Sequence, residues 1–121
     1  ILLPVSAPFH CPLMQPAADE MAEALSKATF KAPSIPVITN VSADAVSDPD
    51  MLRQQLVEQI TGRVRWRESV LKMGELGVTD LTELGTGKVL GGLVRRINKE
   101  ISGKSIQTMA DIEALATDLN S

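Results

Sequence analysis

Short apolar runs closed off by proline or glycine alternate with stretches of helical periodicity along this chain. That alternation confines it to α/β layer architectures with a largely parallel sheet. Residues 1–6 read as a short strand, stopped by Pro8 and Pro12. From Pro12 to about Ala28 the pattern is helical: Leu13, Met14, Ala17, Ala18, Met21, Leu25 and Ala28 share one face, with Asp19, Glu20, Glu23 and Lys27 opposite. Ala32-Pro33-Ser34 breaks the chain before a strand at 36–40. Ser47-Asp48-Pro49 then supplies a cap and a proline at the first helical position, and Leu52, Leu56 and Ile60 mark a helix ending before Gly62. A helix over 64–75 stops near Gly77, and residues 78–84 form the next strand. Gly85-Thr86-Gly87 leads into a helix over 89–101. A short strand around Ile106 follows. The capping box Thr108-x-x-Asp111 opens a last helix carrying Met109, Ile112, Leu115 and Leu119.

The chain's 121 residues make one domain and no more. A net charge of −3 argues against a general nucleic-acid footprint, and an aromatic content of 2% leaves no base-stacking platform. No apolar run approaches a membrane span. One histidine and one cysteine cannot build a Cys/His zinc site, and the lone Cys11 fits a reducing, cytoplasmic setting. The chain opens on Ile1-Leu2-Leu3-Pro4-Val5, a core-like run where a natural terminus is usually solvated. The expectation is therefore a segment of a longer protein.

Three features carry chemistry. His10, the only histidine, follows a strand and precedes a proline-started helix, the place where α/β proteins put catalytic groups. An imidazole titrates near ~6.5 and suits a proton shuttle, although an ordinary structural histidine reads equally from spacing. Cys11 has no second histidine to activate it, so it is expected to be a buried, inert thiol. The glycine-rich Gly85-to-Gly92 turn sits where a phosphate loop would. However, Leu90 breaks G-x-G-x-x-G, and Val89 after Gly87-Lys88 breaks the P-loop pattern. A tight βα turn is the other reading, with Gly91 and Gly92 letting the helix approach the sheet. Finally, residues 63–104 hold nine basic and five acidic side chains, a net +4 in an acidic chain. This is either a solvated face or a docking site for an acidic partner.

Together these residues resemble a family. Leu3-Pro4-Val5-Ser6-Ala7-Pro8-Phe9-His10-Cys11-Pro12-Leu13-Met14 is similar to the histidine motif of malonyl-CoA–acyl carrier protein transacylases. Gln59-Ile60-Thr61-Gly62-Arg63-Val64-Arg65-Trp66 resembles the family's Gln-x-x-x-Pro-Val-Arg-Trp segment. Glu83-Leu84-Gly85-Thr86-Gly87-Lys88-Val89-Leu90 resembles its Gly-Pro-Gly-Lys-Val-Leu turn. Arg63 stands where many members have proline. The family's Gly-His-Ser-x-Gly elbow is absent, as are its carboxylate-binding arginine and its oxyanion-hole amides.

The resemblance implies part of an α/β-hydrolase-like acyltransferase core. Residues 7–121 would be catalytic core and residues 1–6 a strand of a smaller inserted subdomain. The implied activity is malonyl transfer from coenzyme A to the phosphopantetheine thiol of acyl carrier protein in fatty acid biosynthesis. No cofactor or metal is implied, and the segment alone is expected to be inactive. His10 is the implied general base and acid, oriented by the main-chain carbonyl of Gln59, and Phe9 resembles a residue that favours malonyl over bulkier acyl groups. The implied partners are malonyl-CoA, acyl carrier protein and the remaining N-terminal portion, with no nucleic acid or membrane. The competing expectation is a non-catalytic interaction domain, or a nucleotide-binding module using the Gly85-to-Gly92 turn.

Overall fold

The computed structural model describes residues 7–120, so the strand expected over residues 1–6 lies outside the described residues. The chain divides into two compact units, one up to Ser69 and one from Val70.

In the first unit, a single 3-10 turn at Pro12–Met14 leads into α1 (Gln15–Ser26). A two-residue strand β1 (Val37–Ile38) pairs with β2 (Ala45–Val46), and α2 (Pro49–Glu58) follows. Asp48 caps α2 as expected, its Oδ1 accepting from the Met51 N–H at 2.7 Å, with Pro49 in the first turn. Helices α1 and α2 pack on each other, and Ala18, Ala43, Val46 and Leu52 form the buried apolar set. The apolar face expected of α1 is buried only at Ala18, while Leu13 and Met21 stay exposed. The β1–β2 pair is antiparallel and β2 was not an expected strand, so among the described residues parallel pairing is confined to the second unit. A tight turn makes the pair antiparallel: the Ala43 N–H donates to the Thr39 carbonyl and Ala43 takes a φ of +52°, reversing the chain at once.

Helix α3 (Trp66–Glu75) runs across the division between the units. It starts two residues later than expected, just after the Arg65 N–H that is given to the Asn40 side chain. It ends in a Schellman motif: the Val78 N–H donates to the Met73 carbonyl, and that of Gly77, at φ +84°, to Gly74. Val78 is thereby used as a cap, and the next strand begins at Asp80 instead of 78.

The second unit is a β-α-β crossover. Strands β3 (Asp80–Leu84) and β4 (Ser102–Ile106) pair in parallel, with α4 (Val89–Ile97) between them in sequence and packed on both. Val70, Val94, Ile101 and Ile106 are its buried apolar residues. Helix α4 stops at Ile97, short of the expected 101. Asn98 turns extended, and its Oδ1 accepts from the Glu100 N–H at 2.9 Å, a local bond that competes with the helix. Helix α5 (Met109–Asn120) opens on the expected capping box. Thr108 Oγ1 accepts from the Asp111 N–H at 3.2 Å, and Asp111 Oδ2 accepts from the Thr108 N–H at 2.9 Å.

Candidate active site

The segment from Ala7 to Pro12 is bent by prolines at 8 and 12 and pinned by short-range bonds. The Phe9 N–H donates to the Ala7 carbonyl at 2.9 Å, and the Cys11 thiol to the Pro8 carbonyl at 3.0 Å. Cys11 is therefore half-buried and locally bonded, not buried as expected. Between them His10 sits in the left-handed region at φ +58°, an uncommon conformation for a residue with a Cβ. Strain of this kind gathers at sites where geometry matters more than stability. The imidazole is exposed. Its Nδ1 donates to the main-chain carbonyl of Gln59 at 3.2 Å.

That carbonyl is available because Gln59 is the C-cap of α2, where carbonyls lack partners one turn ahead. It also accepts from the Gly62 N–H at 3.2 Å, so its two lone pairs are both used. A carbonyl can only accept, so the contact defines the tautomer: Nδ1 carries the proton and Nε2 presents its lone pair. The α1–α2 packing brings the two groups together, since His10 lies just before α1 and Gln59 just after α2. Phe9, beside His10, is 55% exposed and packs into no core of its unit.

Loop 39–42 braces this arrangement and was missed in the sequence, where Asn40 read only as the end of a strand. Thr39 Oγ1 donates to Gln55 Oε1 on α2. Asn40 Nδ2 donates to the Arg63 carbonyl at 2.9 Å, and Asn40 Oδ1 accepts from the Arg65 N–H at 2.7 Å. The Arg65 guanidinium donates to the Val41 carbonyl at 2.8 Å. Neither Asn40 bond uses the N–H of Arg63, so a proline at that position is compatible with the same brace. Glu68 lies against Arg63 and Arg65, at 3.6 and 3.7 Å. Its own main-chain N–H and these guanidinium groups hold its carboxyl below the usual range.

In the second unit the glycine-rich turn has a different occupant from a phosphate. Glu83, on β3, accepts from the Gly91 N–H at 2.9 Å, the Leu90 N–H at 3.2 Å and Ser105 Oγ at 3.3 Å. These bonds, that to Gly91 foremost, hold its carboxyl below the ordinary glutamate range. The positive end of α4 thus already carries the protein's own carboxylate. This removes the physical basis of the nucleotide-binding expectation. Gly85 and Gly87, at φ +126° and +109°, make the sharp turn that a Cβ would strain. Gly91 does let α4 approach β4, but Gly92 meets nothing within 4 Å and plays no such part.

Among the described residues no group of three or more His, Cys, Asp or Glu side chains is placed to hold a metal ion. No helix among them is long and apolar enough to cross a membrane. Exposed cations of this unit include Lys88, Arg95, Arg96, Lys99 and Lys104.

No protein-family model matches the chain. Among curated proteins it is 43% identical over 115 residues to the malonyl CoA-acyl carrier protein transacylase of Salmonella typhimurium, covering 95% of this chain and 37% of that protein. The crystal structure of acyl-carrier-protein-S-malonyltransferase from Bartonella henselae matches with a TM-score of 0.88 and 50% identity, over 100% of this chain and 38% of that one. A malonyl-transacylase solved in complex with its type II PKS acyl-carrier protein matches with a TM-score of 0.82 and 40% identity, over 95% of this chain and 38% of that one. The fold that brings His10 to Gln59 is thus similar to that of solved acyl-carrier-protein malonyltransferases. Over nearly its whole length the chain is similar to malonyl-CoA–acyl carrier protein transacylases, and it spans little more than a third of the length of the relatives it matches.

Proposed function

We propose that this chain supplies the histidine half of a Ser–His acyl-transfer site that moves a malonyl group from coenzyme A to the phosphopantetheine thiol of acyl carrier protein. The observation that supports this reading best is the bond from His10 Nδ1 to the Gln59 carbonyl, which leaves Nε2 as the ring nitrogen that can accept a proton. The nucleophilic serine, the oxyanion donors and the malonyl-binding arginine belong to the rest of the enzyme. The chain alone should therefore not transfer acyl groups. Residues 7–121 form part of the catalytic core, and the enzyme works in the cytoplasm.

The chemistry follows from one imidazole. As serine Oγ attacks the thioester carbonyl, His10 Nε2 takes its proton, activating a weak nucleophile. The tetrahedral intermediate collapses, the C–S bond breaks, and the proton on Nε2 passes to the departing coenzyme A thiolate. Nε2 then removes the proton of the phosphopantetheine thiol, whose sulfur attacks the malonyl-serine ester. The serine oxygen leaves and takes the proton back. One base serves both halves because an imidazole nitrogen can take up a proton and give it back. No further cofactor is needed for these steps. Phe9 stands beside the base and limits the bulk of the acyl group.

The test is acyl-enzyme formation from malonyl-CoA in the full-length enzyme. His10→Ala is expected to slow it by roughly 10²–10⁴-fold. Acyl-enzyme formed at the unmodified rate would overturn the reading.

A further inference from the structure

We infer that Asn40 is a positioning residue for the acyl-transfer base, acting at two removes: it fixes the segment after α2, which fixes the Gln59 carbonyl, which fixes the tautomer and ring of His10. This inference rests on His10 being that base.

A carbonyl at a helix end is a poor anchor by itself, because the last turn frays. Gln59 stands at such an end, followed by Gly62 and an irregular stretch up to Trp66. Packing does not hold that stretch firmly: Asn40, Val41, Glu58, Gly62, Arg63 and Arg65 line a cavity of about 210 Å³. Hydrogen bonds hold it instead. Thr39 is tied to Gln55, one turn before Gln59. Asn40 is tied to Arg63 and Arg65, on the other side of it. One loop therefore grips the chain before and after the carbonyl that receives the His10 proton.

Both ends of the Asn40 amide are used, one donating and one accepting, at 2.9 and 2.7 Å. Only a primary amide of this length offers a donor and an acceptor side by side in one plane. Two main-chain groups two residues apart are thereby fixed in both position and direction. Loss of the amide releases the Arg63 carbonyl and the Arg65 N–H, and loosens the turn in which Gly62 shares the Gln59 carbonyl with His10. The chemistry is sensitive to such a change, since a displacement on the order of 1 Å away from the reacting atoms can cost about 10²-fold.

The experiment is ¹⁵N NMR of the imidazole in the full-length enzyme, with the His10 signals identified as those missing from His10→Ala, alongside transfer kinetics. In the parent enzyme His10 should be the Nδ1–H tautomer. In Asn40→Ala its ring nitrogens should shift toward the Nε2–H form, and kcat should fall about 10- to 100-fold with the KM for malonyl-CoA little changed. Asn40→Asp keeps the acceptor for the Arg65 N–H and loses the donor to Arg63, so it should fall between the two. A purely structural asparagine would lower the melting temperature and leave the tautomer of the folded enzyme alone. An unchanged tautomer and kcat in folded Asn40→Ala would overturn the inference. Should that variant fail to fold, the same result in Asn40→Asp would overturn it. His10→Ala with unreduced transfer would instead defeat the catalytic reading, whatever the tautomer does in the Asn40 variants.

Discussion

Gly103 on β4 lies so close to Gly91 on α4 that a Cβ on Gly103 would stand 2.8 Å from the Gly91 carbonyl oxygen and 3.2 Å from its Cα. Both neighbours are backbone atoms, so nothing flexible can yield. Gly103→Ala must push α4 off the strand pair and is expected to cost roughly 1–3 kcal/mol, as overpacking usually does. Gly92, one residue along the same helix, is the control. A Cβ there meets nothing within 4 Å, and Gly92→Ala should gain up to about 1 kcal/mol from helix propensity alone. Denaturant unfolding of the two variants checks this, and equal effects would count against close packing at Gly103.

Glu83 makes the second unit sensitive to acid. Its carboxyl is held below the ordinary glutamate range by the Gly91 and Leu90 N–H groups, so its folded-state value is lower than its unfolded one. Such a group stabilises fully above the unfolded value and loses its contribution as pH falls through the folded one. Stability should therefore decline as pH drops below the ordinary glutamate range. Asp111, held low by the Gln107 and Thr108 N–H groups, adds to the decline in the same direction. In Glu83→Gln the slope of unfolding midpoint against pH should flatten over that range. A slope identical to the parent's would show that the carboxylate at α4 carries no such linkage.

The backbone of His10 offers a separate test of strain. At φ +58° a Cβ is disfavoured, whereas glycine adopts this conformation freely. His10→Gly and His10→Ala remove the same imidazole, but the glycine variant should be more stable than the alanine one by about 1 kcal/mol. Thermal unfolding of both variants measures the difference. Alanine equal to or better than glycine would mean that the residue is not held left-handed.

The basic surface should matter to one half-reaction more than the other. Arg95 and Arg96 are exposed near the end of α4. If they steer an acidic carrier protein, reversing both charges should slow transfer to the carrier and the loss should shrink as salt rises. Formation of the acyl-enzyme from malonyl-CoA should change less. Equal losses in both steps, or none, would remove these residues from docking.

Much of the fold was legible because it is written locally. Asp48-Pro49 and Thr108-x-x-Asp111 set helix starts through bonds spanning three residues, and the strand–helix–strand order of residues 80–106 implied the parallel crossover that forms. The antiparallel partner of β1 was not legible: Ala45–Val46 is too short to show a period. Nor was the early end of α4, which depends on an asparagine turn inside an otherwise helical pattern. His10 was singled out by its place between a strand and a proline-started helix and Gln59 through family likeness alone, and the structure brings their atoms together. Asn40 and Glu83 were missed as functional side chains. Each bonds main-chain groups remote in sequence (63 and 65 from 40, 90 and 91 from 83), and such bonds leave no periodic trace. A polar residue two positions after a short strand, and an acid two positions before a glycine turn, were the only signals available.

The central claim is that a main-chain carbonyl, not a side chain, orients the base. It is tested most directly by steady-state malonyl transfer in full-length enzyme carrying His10→Ala or Gln59→Ala. The Gln59 side chain takes no part in the bond, whose acceptor is the main-chain oxygen at 3.2 Å. Gln59→Ala should therefore keep kcat within a few-fold of the parent, while His10→Ala should lose roughly 10²–10⁴-fold. Gln59→Ala as damaging as His10→Ala would contradict the claim and put the side chain into the chemistry.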